Sequence, residues 1–178
     1  MEKRALMHVL ILALGTFSAF GQAIDWKDYE YAEDGFRVSA PVKPSFRTKA
    51  VETSGPGGQA EMREYTVHLT NDCGVQVTLS SFAKAGKISP AALPAMRDYV
   101  VKNINGKLLS EKTISLDNNP GIEFEVMGSD GYHGRLRYYI AGNKVISLTS
   151  FITQGRPLPE GTVRILDSFR LVKTRSQP

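Results

Sequence analysis

Short runs of alternating apolar and polar residues, separated by turn-forming residues, fill most of the chain. Alternation with a period of two marks strands with one face toward a core. Tyr29 to Ala32 and Phe36 to Ser39 read as two short strands around Glu33-Asp34-Gly35. Phe46 to Thr53 and Gln59 to Leu69 read as longer ones flanking the flexible turn Ser54 to Gly58. Val75 to Lys84 continues the pattern, and strands resume at Lys107 to Leu116, Ile122 to Met127, Tyr132 to Ala141 and Lys144 to Thr153.

The period changes after Ser89-Pro90, a cap followed by proline at the first helical position. Leu93, Met96, Val100 and Ile104 then recur at spacings of three and four, which places one apolar stripe of a helix against a core. Pro94 blurs the start by a turn. Asn105-Gly106 closes the helix, with glycine expected in the left-handed conformation that ends it. A second helix over 159–168 sets Val163, Leu166 and Phe169 on one side. The fold class that follows is α+β, an antiparallel sheet of about seven to nine strands sandwiched by helices. No linker divides it.

Chemistry concentrates in Glu123 to Tyr139, which holds two glutamates, an aspartate, a histidine, two arginines and three tyrosines. A three-residue hairpin loop at Ser129-Asp130-Gly131, with Gly131 left-handed, sets Glu125 opposite Arg135, Glu123 opposite Arg137 and Met127 opposite His133. The other face then carries Phe124 against Leu136 and Ile122 against Tyr138. A one-residue slip would oppose Glu to Leu and Phe to Arg, so the pattern selects one register. The next loop, read as Ala141-Gly142-Asn143 with Asn143 left-handed, sets Tyr138 opposite Ile146 and Leu136 opposite Leu148.

A catalytic use of this cluster conflicts with its pairing. Carboxylates on alternate residues of a strand lie about 6.5–7 Å apart, within the range of glycoside hydrolases. An acid catalyst must keep a proton, however, and facing arginines hold both groups ionised. Glu123, Arg137, Glu125 and Arg135 are therefore read as structural ion pairs. Asp130, Tyr132 and His133, beside the loop, are the candidates for a partner surface. The enzyme alternative is a small hydrolase or ligand-binding protein with a pocket built from His133, Glu125 and Tyr132.

Other chemistry is sparse. His68 and His133 are the histidines outside the N-terminal segment, and neither has a second ligand at metal spacing. Cys73 is the single cysteine, which excludes an intramolecular disulfide, and Asp72 beside it disfavours a reactive thiolate. Gly55 to Gly58 precedes a strand and lacks the Lys-Ser/Thr pair of a phosphate loop. No Gly-x-Ser-x-Gly elbow occurs. The expectation is no catalytic residue, no cofactor and no metal. Phe124, Tyr138, Tyr139 and Phe169 read as core, with Trp26 and Tyr29 pinning the start of the domain to the sheet.

The N-terminus changes the picture of location. Lys3 and Arg4 precede an apolar run from Ala5 to Phe20, and small residues follow at Gly21 and Ala23. That is the form of a secretory signal peptide, residues 1–23, cleaved between Ala23 and Ile24. The run of about 16 residues falls short of the ~20 that cross a bilayer, which disfavours a retained anchor. The exit lacks the cysteine of a lipid anchor. Removal of Glu2, Lys3 and Arg4 lowers the formal charge from +4 to +3. The positive charge is spread along the chain, which argues against nucleic acid as a partner. Residues 24–172 form one domain and residues 173–178 a polar tail with Lys173 and Arg175.

Four stretches carry a family resemblance: Asp34 to Pro44 (DGFRVSAPVKP), Gly121 to Val126, Gly142-Asn143-Lys144 and Leu166 to Leu171. Together they resemble exported Mog1/PsbP-like domain proteins of unknown function, with Ala40 standing where an aromatic is common. The resemblance implies a three-layer domain with an antiparallel sheet between helices. It also implies adaptor work, since the better-known relatives bind a GTPase or the luminal face of a photosystem. The expected function is a periplasmic or secreted, non-catalytic binding module with a protein partner in the cell envelope. The loops Ser54 to Gly58 and Ser129 to His133 are its contact candidates, with the basic tail.

Overall fold

Pairing of Glu123 with Arg137 and of Phe124 with Leu136 joins two neighbouring strands of one sheet, in the register that charge and apolar alternation predict. The computed structural model describes residues 25–52, 59–83, 86–153 and 155–173. The expected signal segment with its Ala23–Ile24 junction, the loop Ser54 to Gly58 and the tail beyond Lys173 lie outside them. Strands β1 (Lys27–Tyr31), β2 (Phe36–Ala40), β3 (Ser45–Glu52), β4 (Gln59–Thr70) and β5 (Cys73–Phe82) come first. Helix α1 (Leu93–Asn103) follows, then β6 (Lys107–Leu116), β7 (Asn119–Met127), β8 (His133–Ala141) and β9 (Lys144–Ile152). Helix α2 (Glu160–Ser168) and the short β10 (Arg170–Leu171) complete the order.

Seven strands form one antiparallel sheet in the order β3-β4-β5-β9-β8-β7-β6, and a smaller sheet runs β1-β2-β10. On one face of the large sheet, Val67, Val75, Val77, Tyr139 and Leu148 meet Phe36 and Val38 of β2 and Ile165 and Leu166 of α2. Phe36 stacks on Phe169 at 5.4 Å and meets the edge of Tyr65 at 4.9 Å. Full burial of one such side chain stabilises the fold by about 1.5–3 kcal/mol. On the other face, Ile122, Phe124, Val126, Leu136 and Ile140 pack with Leu93 of α1. The fold is thus mostly antiparallel sheet with two helices, and the small sheet shares with α2 the cover that helices alone were expected to give.

Several sequence expectations need correction. The β8–β9 loop has two residues, Gly142-Asn143, and its register sets Tyr138 opposite Ser147 and Leu136 opposite Thr149. Gly142, not Asn143, is left-handed, with φ +66. A two-residue turn with glycine first matches the twist of the flanking strands. Pairing apolar with apolar failed as a guide because β8 and β9 bury side chains on both faces. At the end of α1 it is Asn105, φ +46, that turns left-handed. Gly106 N–H then closes the helix on Val101 O at 3.0 Å. The buried side of α2 is Thr162, Ile165 and Leu166, with Val163 half-buried. The start of α1 matches its reading: the Ser89 hydroxyl accepts from Ala91 N–H at 3.3 Å, and a 3-10 turn at Pro90–Ala92 leads into Leu93.

Candidate functional site

Residues 128–132 form the β7–β8 tip around Gly131 at φ +82, with Gly128 N–H donating to Tyr132 O at 2.7 Å. This geometry aims Glu125, His133 and Arg135 to the same face of the sheet. His133 is 8% exposed. Its Nε2 lies 2.6 Å from Glu125 Oε1, and its Nδ1 lies 3.0 Å from the carbonyl of Arg156. Both partners are acceptors, so only a doubly protonated ring donates to both. Arg135 adds a contact to Glu125 Oε2 at 3.2 Å. Burial works against the charge of Glu125, but hydrogen bonds from His133 and Arg135 outweigh it and hold the carboxyl below its ordinary range.

The next rung is more tightly tied. Arg137 Nε donates to Glu123 Oε2 at 2.5 Å and its Nη2 to Asp167 Oδ1 of α2 at 2.6 Å. Lys112 of β6 reaches Glu123 Oε1 at 2.8 Å. Burial again opposes the charge of Glu123, and the Lys112 and Arg137 contacts again prevail, keeping it ionised. The ladder therefore holds two rows of the sheet and pins α2 through Arg137. Chemically it is closed: Glu123 has two cationic partners, Glu125 is held by Arg135 and the His133 ring, and neither ring nitrogen of His133 is open to a substrate.

The three candidates for a partner surface separate. His133 is buried, Tyr132 is half-buried against the second core with its phenol pushed up to about 12 by burial and then by Asp130, and Asp130 is exposed. Asp130 caps its own loop by accepting from Tyr132 N–H at 3.0 Å. Cys73 is buried at 1% exposure, and burial, then Asp72, pushes its thiol up. His68 is exposed at the end of β4. Among the described residues no group of three or more His, Cys, Asp or Glu is placed to hold a metal ion.

Two further clusters lie where sequence reading placed only turns and strands. Glu64 is 3% exposed on the open half of the sheet, in contact with Arg47 and 2.9 Å from Lys49. Despite burial, these cations hold its carboxyl low. The facing of Arg47 and Glu64 in β3 and β4 carries that signal, but the intervening loop gave no fixed register. Asp34, read only as part of a turn, accepts from the Tyr65 hydroxyl and lies 3.0 Å from Arg63 Nε. Tyr31 and Phe46 pack on Tyr65 at 4.3 and 4.8 Å, and Arg63 lies over Phe46 at 5.1 Å. These groups line a recess of about 440 Å³.

The order of elements and of strands makes a PsbP-like fold. No family model and no curated protein sequence matches the chain. Among solved structures it is similar to the solution structure of cyanobacterial PsbP (CyanoP) from Synechocystis sp. PCC 6803, with a TM-score of 0.51 and 15% identity. The match covers 89% of this chain and 98% of that one. At this identity the likeness is one of fold.

Proposed function

We propose that the chain is an exported, non-catalytic binding or accessory module that contacts a protein partner in the cell envelope. The observation that carries the reading is the closure of its richest polar cluster. His133 is held at both nitrogens, Glu123 by two cations, and Glu125 by Arg135 and the His133 ring, so no group there is free for proton transfer. The PsbP-like fold supports the reading by analogy only. The N-terminal charge and apolar run support export, with residues 1–23 removed and residues 24–172 acting as one periplasmic or secreted domain. The finer architecture, a three-layer sheet between helices as in the Mog1/PsbP-like group, belongs to the same proposal. So does the contact surface, for which the exposed Asp130 tip and the loop Ser54 to Gly58 are the candidates.

The test is affinity capture with the tagged chain from a native envelope extract, followed by native mass spectrometry and reconstitution with the purified partner. A stoichiometric complex that rebuilds from two purified proteins, and weakens on Asp130→Lys, is the expected result. Hydrolysis of an ester, amide or glycoside panel that is lost in His133→Gln overturns the reading.

A further inference from the structure

Helix α1 covers the second face of the sheet incompletely. Of its apolar stripe, Leu93 is buried, but Met96, Val100 and Ile104 stay half-buried although they face the sheet. Around Met96 the residues between helix and strands are small. Ala92 and Ala95 stand on the helical side, and Ser80 and Ser147 on the sheet, where larger side chains would close the gap. A groove of about 680 Å³ results.

Strand register builds its floor. Met62 of β4 faces Ser80 of β5, which faces Val145 of β9, so these three form one row across the sheet. Ser147 and Tyr138 face each other in the adjoining row. Tyr138 is desolvated enough that burial, and then Tyr132, pushes its phenol up to about 12. Tyr99, 68% exposed, stands at the mouth. Among the described residues the lining is aromatic, aliphatic and hydroxyl-bearing, with no charged side chain. The recess beside Asp34 differs sharply, being walled by Glu30, Lys43 and Arg63.

We propose that the groove between α1 and the sheet binds an uncharged, largely apolar small molecule. Size and charge select this occupant. Its volume lies within the range of about 300–1,000 Å³ found for small-molecule sites. Ten residues line it, whereas a stable protein interface draws on about 20–30 residues a side. A charged ligand would lose its hydration against walls that offer no countercharge. Met62 and Met96, on opposite walls, give the site adaptable surfaces that suit an irregular apolar shape. This site is separate from the proposed partner surface, and either can fail without the other.

The probe is the neutral dye N-phenyl-1-naphthylamine, with its sulfonated relative 8-anilinonaphthalene-1-sulfonate as the charge control. The protein is the full chain, expressed and purified as the cell leaves it, with carbon-13 in the methionine methyl groups. Saturable binding of the neutral dye that shifts the Met62 and Met96 methyl signals, leaves Met127 on the opposite face unmoved, and is lost in Ala95→Trp supports the site. Ser80→Leu narrows the groove from the sheet side and serves if Ala95→Trp disturbs the Met127 signal. Neutral-dye titration without movement of Met62 and Met96 overturns the proposal. So does undiminished binding in both narrowed variants, or equal binding of the sulfonated dye with the same shifts. Methyl shifts that follow protein concentration instead of dye assign the groove to a second copy of the chain and overturn it as well.

Discussion

Arg137→Met removes the side chain that ties β8 to both β7 and α2. Its side chain is 15% exposed and that of Glu123 is 11%, so the pair is close to fully buried. Breaking a buried ion pair from one side costs about 3–5 kcal/mol, because the remaining charge is left desolvated. Lys112, 63% exposed, stays beside Glu123 and compensates only in part, since exposed partners contribute little. The expected cost is therefore about 3 kcal/mol, the low end of that range. Glu123→Leu, which strands Arg137 with Asp167 alone, costs a similar amount. The double variant puts two apolar side chains where the charges were and recovers about 2–3 kcal/mol of the summed loss. Urea unfolding of the four proteins measures this. With a slope of about 2 kcal/mol per molar, Arg137→Met lowers the midpoint by about 1.5 M. The acid limb gives an independent check. Glu123 sits below its ordinary 4.5 in the folded state, so its contribution is whole above that value and is lost as pH falls through its folded-state value. Stability of the parent should drop more steeply below pH 4.5 than that of Arg137→Met, in which Glu123 is no longer held as low. Single variants as stable as the parent, with no coupling between them, would refute the ladder as a stabilising element.

Other outcomes follow from the same structure. Tyr65→Phe removes the hydroxyl that donates to the buried Asp34 and should cost about 1–3 kcal/mol in urea unfolding; an unchanged midpoint means that the bond contributes nothing. Cys73 should resist iodoacetamide in the native protein and react at a rate set by unfolding, because burial and Asp72 both disfavour its thiolate. Stoichiometric native labelling, read by mass spectrometry, contradicts this. Intact mass of the exported protein should correspond to a chain starting at Ile24, and a mass that includes Met1 to Ala23 argues for a retained segment.

The β7–β8 hairpin was legible because each of its faces has its own chemistry, with Glu and Arg on one and Phe, Ile and Leu on the other. A slip would have mixed them. Its neighbour was not, because Tyr138, Tyr139, Ile146 and Leu148 supply large apolar groups to both faces of β8 and β9, and either register finds partners for them. The depth of the ladder was hidden for a related reason. Alternation shows which residues share a face, but not that α2 returns from the far end of the chain to place Asp167 against Arg137. Strand β10 is two residues long, too short for any periodicity to register. The polar cluster at Asp34 draws on β2's turn and on β4, and only tertiary pairing brings them together. The groove under α1 depends on small residues from four elements, none of which is unusual where it stands.

Strand β2 lies between β1 and β10, so it has one neighbour from the beginning of the domain and another from its end. Ser39 N–H donates to Ser168 Oγ at 2.9 Å across 129 residues of chain. A polypeptide that emerges N-terminus first must carry Phe36 and Val38 uncovered until α2 and β10 arrive. Contacts so distant in sequence form late and slowly. Completion of this small sheet thus marks delivery of the chain as far as Leu171, and the half-made molecule presents the very surface that a chaperone would hold.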